Sequence, residues 1–116
     1  MGRGAYGGGL VVRRGDIYWA QFSAPIGKRP VILVSRDEAY AIKTRVTVVV
    51  VTRTVRGIPT KVRVGPSEGL PKVGVANTDE IVTIPRTTLR ERIATLSRSK
   101  LDQIDAALRF ALGLKA

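Results

Sequence analysis

The chain has 116 residues, which suits one domain and is too short for two ordinary ones. Its 20 lysine and arginine residues outnumber 9 acidic residues, so the net charge is +11, which favours a polyanionic partner such as nucleic acid. The lack of cysteine and histidine excludes disulfides, Ser-His-Asp triads and ordinary transition-metal sites.

Residues 1–12, "MGRGAYGGGLVV", are rich in glycine and contain no bulky apolar core. We therefore expect a flexible, basic tail before a single domain at residues 13–116. The segment lacks the long apolar stretch of a signal peptide, and no later run is long enough to cross a bilayer. These features predict a cytoplasmic protein without a membrane partner.

The chain between the tail and residue 97 reads as a series of short strands. Runs of β-branched and aromatic residues, separated by glycine and proline, are typical of strands joined by turns. Residues 86–89, "RTTL", read as a single turn. The predicted strands are Arg14–Phe22, Arg29–Ser35, Arg45–Thr54, Thr60–Val64, Val75–Pro85 and Arg92–Ser97.

The last segment has a helical pattern instead. Leu101, Ile104, Leu108 and Ala111 recur at helical spacing, with Ser97 or Ser99 as the cap and Gly113 as the stop. The apolar stripe either closes the core or packs in part on a second subunit. Many short strands with one terminal helix predict a mainly β fold, a small and partly open barrel.

A candidate site follows from the pairing of the second and third strands. If they pair antiparallel across "RDEAYAIK", Ser35 lies opposite Val46 and Arg29 lies opposite Thr52. The guanidinium fork of Arg29 and the hydroxyl of Thr52 could then bind one phosphate. Further cations that would extend this positive surface are Lys28, Arg53 and Arg56.

The chain resembles the MazF/PemK-type toxins, the ribonuclease half of bacterial toxin–antitoxin pairs. The resemblance covers residues 13–114 and depends on five stretches and on their order. Four of them are "RRGDIYWAQF", "GKRPVILVS", "VVVVTRT" and "TDEIVTIPRTTL", and the fifth is the terminal helix.

The resemblance implies an SH3-like barrel of the MazF/PemK/CcdB type with a C-terminal helix, which forms a homodimer. It also implies metal-independent cleavage of single-stranded RNA, no cofactor, and inhibition by a cognate MazE-like antitoxin. Arg29 in "KRP" and Thr52 at the end of the third strand match the catalytic arginine and threonine of the family. We also expect RNA contacts from Gln21, Asn77, Glu80 and Arg86, of which Asn77 and Arg86 are chosen by family position.

Two departures from the family pattern concern the predicted site. The first loop, "SAPIG", is shorter than the loop that often covers the site in the family. Glu80 stands where the family often has glutamine, and a carboxylate accepts hydrogen bonds only. The base preference of relatives therefore does not carry over to this chain.

The residues also support a reaction that needs neither histidine nor metal. RNA carries its own nucleophile, the 2′-hydroxyl, so a protein can cleave it by position and charge alone. We assign Arg29 to charge stabilisation, with an additional role as an acid left open, and Thr52 to a non-bridging phosphate oxygen. The group that accepts the 2′ proton is not assigned.

Other polar and aromatic residues are weaker candidates. Asp16 at a strand entry is expected to accept structural hydrogen bonds, and Asp79 and Glu80, on opposite faces of a strand, make a poor metal cluster. For Tyr18 and Trp19 we favour packing in the core or a dimer over base stacking. Two other functions also fit this chain: a non-catalytic RNA-binding barrel and a CcdB-like toxin that poisons DNA gyrase.

Overall fold

The β-branched and aromatic runs of the sequence form six strands. The computed structural model describes residues 12–53 and 57–115. Within these ranges the elements are β1 (Asp16–Gln21), β2 (Lys28–Leu33), α1 (Ala39–Ile42), β3 (Arg45–Thr52), β4 (Lys61–Val64), β5 (Gly74–Pro85), β6 (Leu89–Thr95) and α2 (Arg98–Leu112). Short 3-10 turns lie at Pro66–Glu68 and Arg86–Thr88, the second of them in the predicted "RTTL" turn.

The strands form one antiparallel sheet in the order β4-β5-β3-β2-β1-β6. The predicted register of β2 and β3 is confirmed, because Val31 lies opposite Val50 and Leu33 lies opposite Val48. The sheet curls into a half-barrel, and Leu70 beyond β4 packs in the same core cluster as Leu96 beyond β6. The predicted mainly β, partly open barrel with a C-terminal helix is therefore confirmed.

Both faces of the sheet are buried, which explains why β2 and β3 read as continuous apolar runs. Ile32 and Val49 point into a cluster that α2 covers, through Ile104 of the helix. The alternating residues, such as Val31 and Val48, point into a second cluster on the opposite face. Each valine of β3 therefore contributes to one of two cores.

The helix α2 begins and ends at residues that the sequence indicated. The Ser97 hydroxyl accepts a hydrogen bond from the Lys100 amide at 3.1 Å, and Gly113 ends the helix with a φ of 70°. Leu101, Ile104 and Ala107 are its buried residues. Of the predicted stripe, Leu101 and Ile104 are buried, Leu108 is half-buried and packs against the same cluster, and Ala111 is half-buried; Ala107, which the stripe did not include, is buried.

Several predicted boundaries differ from the structure. The strand predicted to begin at Arg92 begins at Leu89, because the buried Leu89 already pairs with Ala20 of β1. The connection predicted between β2 and β3 contains α1, whose Tyr40 is buried in the second cluster. Val12, the end of the predicted tail, is buried in the same cluster.

Some predictions fall on residues that the structure does not describe. They are the tail at residues 1–11, the end of the third predicted strand at Thr54, and Arg56. Within the described ranges, neither helix has the length and apolar content that a membrane span requires.

Candidate active site

An open cleft of about 760 Å³ lies across the sheet at the ends of β2 and β3. Five of the nine predicted site residues line it: Lys28, Arg29, Thr52, Arg53 and Glu80. The remaining lining residues are mostly apolar: Trp19, Ile26, Pro30, Val50, Val51 and Pro71. Three cations around an apolar floor make this a cleft suited to an anion with flat, apolar parts.

Arg29 and Thr52 meet in this cleft because of the strand register. Val31 lies opposite Val50, and the same register continued by two residues places Arg29 opposite Thr52. Side chains two residues apart on a strand share a face, so both project from the same face of the sheet. Both side chains are half-buried, which restricts their motion and leaves their polar ends accessible.

The guanidinium of Arg29 is held by the loop between β1 and β2. Its Nε donates to the carbonyl oxygen of Ile26 at 3.4 Å. That loop is closed by a hydrogen bond from the Phe22 amide to the Gly27 carbonyl at 2.9 Å. The short "SAPIG" loop therefore supports the arginine from one side of the cleft.

The end of β3 is positioned by a close approach of β5. A Cβ on Gly74 would lie 2.4 Å from the carbonyl oxygen of Thr52, so only glycine fits there. The next residue, Val75, pairs directly with Thr52 and is buried. Two strands that are distant in sequence thus fix the position of the Thr52 backbone.

Lys28 and Trp19 form the cationic and aromatic end of the cleft. The Lys28 Nζ lies 5.3 Å from the centre of the Trp19 ring, within cation–π range, and 3.4 Å from a carboxylate oxygen of Glu91. The pKa of the Glu91 carboxyl lies below its usual range, because the carboxylate accepts a hydrogen bond from the Glu91 backbone N–H and lies beside Lys28. Trp19, for which packing in the core or a dimer was favoured over base stacking, is half-buried and lines the cleft.

Glu80 reaches the cleft through a bulge in β5. Val49 and Val50 of β3 pair with Ile81 and Asn77 of β5, which leaves residues 78–80 out of the ladder. Asp79 and Glu80 are therefore both exposed, contrary to the alternation expected of a regular strand. Of these two carboxylates, Glu80 lines the cleft.

Three other predicted RNA contacts that the structure describes, Gln21, Asn77 and Arg86, are not among the residues that line this cleft. Gln21 is exposed at the end of β1, opposite Lys28. The Asn77 side-chain oxygen accepts hydrogen bonds from the Asp79 amide at 3.1 Å and from Lys61 at 3.4 Å. Arg86 donates to the carbonyl oxygens of Tyr40 and Lys43, at 2.6 and 3.2 Å.

Asp16 has the structural role that the sequence suggested. Its buried carboxylate accepts hydrogen bonds from the Arg13 amide at 3.0 Å and from the Thr95 hydroxyl at 2.7 Å, and Arg92 lies 3.7 Å away. Within residues 12–53 and 57–115, no group of three or more acidic side chains is placed to hold a metal ion. The ionisable and hydroxyl groups that line the cleft are the cations Lys28, Arg29 and Arg53, the Thr52 hydroxyl and the Glu80 carboxylate.

Comparison with known proteins agrees with this fold. The chain is 37% identical over 103 residues to "Probable endoribonuclease MazF2" of Mycobacterium tuberculosis, covering 88% of this chain and 99% of that protein. Among solved structures, the Mycobacterium tuberculosis toxin MazF-mt6 superposes with a TM-score of 0.80 at 33% identity, over 87% of this chain and 99% of that one. A mycobacterial endoribonuclease in complex with its cognate antitoxin gives a TM-score of 0.79 at 30% identity, over 90% and 98% of the two chains.

The family model that matches this chain describes PemK-like, MazF-like toxins of type II toxin–antitoxin systems, and the match spans residues 13–112. That range includes all six strands of the described sheet, the cleft and the whole of α2. With the sequence identity and the fold in agreement, the chain belongs to the PemK-like, MazF-like family of toxins.

Proposed function

We propose that this chain is the toxin of a type II toxin–antitoxin system and cleaves single-stranded RNA without a metal ion. The observation that carries the proposal is the meeting of Arg29 and Thr52 at one side of a cationic cleft. Residues 13–116 form the toxin domain in this proposal, with residues 1–12 as a tail before it. Its RNA substrate places the toxin in the cytoplasm.

In the proposed reaction the RNA supplies the nucleophile. The 2′ oxygen forms a bond to the adjacent phosphorus, the bond from phosphorus to the 5′ oxygen breaks, and the 2′ proton is released. The departing 5′ oxygen takes up a proton, which leaves a 2′,3′-cyclic phosphate and a 5′-hydroxyl end. No cofactor takes part.

The protein contributes charge and position to this reaction. The guanidinium of Arg29 stabilises the negative charge that grows on the phosphorane oxygens. The hydroxyl of Thr52 donates to a non-bridging oxygen, and Lys28 and Arg53 bind neighbouring phosphates. Because the cleft is preorganised by the sheet, these contacts need little rearrangement in the transition state.

The direct test of the proposal is cleavage of a defined RNA pool by the purified protein, followed by sequencing of the new ends. Arg29→Ala should lower the cleavage rate at least about a hundredfold, the cost of removing one preorganised donor. Arg45→Ala is the matched control, because Arg45 lies at the other end of β3 and donates to the Thr83 carbonyl at 3.0 Å.

Three outcomes would contradict the proposal. Equal rates for wild type and Arg29→Ala would remove Arg29 from the site. RNA that is bound but recovered intact would indicate a non-catalytic RNA-binding barrel. DNA breaks that depend on gyrase, without RNA cleavage, would indicate a CcdB-like toxin.

We further propose that the toxin forms a homodimer and is inhibited by an acidic, MazE-like antitoxin that covers the cleft. A net charge of +11 favours fast association with an acidic segment, and the cationic cleft would be its target. RNA and antitoxin should then compete. A saturated complex with the protein encoded beside the toxin should not cleave RNA, and full activity of that complex would contradict this partner.

A further inference from the structure

The cleft contains one feature that a phosphate-binding surface does not need. Among the described residues that line it, Glu80 is the single carboxylate, alongside the cations Lys28, Arg29 and Arg53. A carboxylate repels the RNA backbone and lowers the affinity that the cations provide. Its presence at this place therefore calls for a ligand group other than phosphate.

No lysine or arginine of the described residues forms an ion pair with Glu80. Its side chain is exposed, and within the described ranges no lysine or arginine nitrogen lies within 4.0 Å of its carboxylate. A structural ion pair thus does not account for it. The carboxylate is available to a ligand that enters the cleft.

The backbone of Glu80 is held in place by its neighbours in the bulge. The buried Thr78 hydroxyl donates to the Thr60 carbonyl oxygen at 2.5 Å, and the Thr78 amide donates to the same oxygen at 2.9 Å. The Asn77 side chain accepts from the Asp79 amide at 3.1 Å. The bulge is therefore held at residues 78 and 79, and beyond it Ile81 pairs with Val49 of β3, which fixes the backbone on both sides of Glu80.

Glu80 also lies at a useful distance from Arg29. The strands β5, β3 and β2 are consecutive neighbours in the sheet, so Glu80 and Arg29 are two strand spacings apart, about 10 Å across the sheet. Along the strands Glu80 lies next to Ile81, which is level with Ile32, so it is offset from Arg29 by roughly a further 7–10 Å. A phosphate held by Arg29 and Thr52 would leave an attached or adjacent nucleobase within reach of Glu80. In single-stranded RNA the Watson–Crick edges of the bases are open to such a contact.

A carboxylate is a pure acceptor, so it distinguishes the four bases by the donors that they present. Guanine presents two adjacent donors, N1–H and N2–H, which match the two oxygens of a carboxylate. Cytosine, adenine and uracil each place an acceptor beside their donor on the same edge, so one carboxylate oxygen would face a repulsive group. Guanine is the base that satisfies both oxygens.

We propose that Glu80 selects a guanine at one fixed position beside the cleavage point by binding its Watson–Crick edge. The inference rests on the proposed ribonuclease function and adds a sequence preference to it. Glu80 acts on the base and not on the reacting phosphate, so it is a specificity residue.

The test compares three proteins on one randomised RNA pool, with the sequence of every new end recorded. Wild type should cut with guanine enriched at one fixed position. Glu80→Gln, which exchanges one acceptor for a donor, should lose that enrichment. Asp79→Asn removes the same charge from the neighbouring residue outside the cleft and should keep the enrichment.

A second measurement uses wild-type protein only, so it does not depend on how the Glu80 variant folds. Inosine lacks the N2 amino group of guanine, and placing it at the selected position of a short RNA should slow cleavage by about tenfold, the scale of one bidentate base contact. Inosine elsewhere in the same RNA should leave the rate unchanged.

The outcomes separate this inference from the function on which it rests. Cleavage without guanine enrichment, enrichment that survives Glu80→Gln, or an unchanged rate with inosine would overturn the role of Glu80 and leave the ribonuclease intact. A wild-type protein that cuts no RNA would overturn the proposed function and this inference with it.

Discussion

The close approach of Gly74 to Thr52 offers a test of the site that changes no residue in the cleft. In Gly74→Ala the new methyl group would lie 2.4 Å from the Thr52 carbonyl oxygen. Real Cβ contacts are longer than 3.0 Å, so one of the two strands must move. Because the neighbouring Val75 is fully packed, we expect the end of β3 at Thr52 to be displaced.

The size of the effect follows from the geometry. Overpacking of this kind typically costs about 1–3 kcal/mol of unfolding free energy. In a domain of this size each kcal/mol lowers the melting temperature by roughly 4–8 °C, so we expect a drop of about 4–24 °C. Displacement of Thr52 by about 1 Å should lower the cleavage rate on the order of a hundredfold.

The assay pairs calorimetric unfolding with single-turnover cleavage at a temperature where circular dichroism shows that the variant is folded. Gly57→Ala is the matched control, because among the described residues no atom other than those of its chain neighbours lies within 4 Å of the new methyl group. It should leave both measurements close to wild type. A Gly74→Ala variant with wild-type melting temperature would refute the steric argument, and one that is destabilised but fully active would refute the role of Thr52 position.

Three further predictions concern the hydroxyl, the core and the pH dependence. Thr52→Val keeps the β-branched shape without the hydroxyl and should impair turnover, whereas Thr52→Ser should retain a good part of the turnover in the same single-turnover assay. Equal activity of wild type and the valine variant would exclude a role of the hydroxyl in the reaction. Ile104→Ala empties a fully buried position between α2 and the sheet and should cost about 2–5 kcal/mol in urea unfolding, and a loss under about 1 kcal/mol would contradict that packing. Burial raises the pKa of Tyr40 to about 12 from 10.0. As the pH rises, the Tyr40 hydroxyl therefore ionises first in the unfolded chain. The free energy of unfolding should then fall between about pH 10 and 12, by at most about 1.4 kcal/mol per pH unit. Tyr40→Phe should flatten that part of the pH profile, and an unchanged slope would refute the assignment.

The strands and their pairing could be predicted from the sequence to a large extent. The valine run of β3 and the "RPVILVS" run of β2 are strongly β-forming, and the predicted register placed Arg29 opposite Thr52. The alternation in "TKVRV" likewise predicted a half-exposed strand, as β4 is. These features depend on local preference and on side-chain alternation, which are properties of neighbouring residues.

Element boundaries were less predictable where a tertiary contact decides them. Leu89 joins β6 because it pairs with Ala20, a residue that is distant in sequence. Ala107 of α2 is buried in the cluster under the helix, whereas the predicted stripe included Ala111 and not Ala107. In both cases the contact partner, and not the local sequence pattern, determines where the strand begins or which helix residue is buried.

Composition alone determined the class of chemistry available to this protein. A chain with a net charge of +11 and neither histidine nor cysteine can act on a polyanion through arginine, lysine and hydroxyl groups, but not through imidazole or thiolate. The tertiary structure decided which of those groups meet. Trp19, Arg29, Thr52 and Glu80 come from β1, β2, β3 and β5, and their convergence depends on a sheet order that differs from chain order. The bulge that turns Glu80 toward the cleft and the approach of Gly74 to Thr52 are likewise contacts between distant residues, which local sequence preference does not encode.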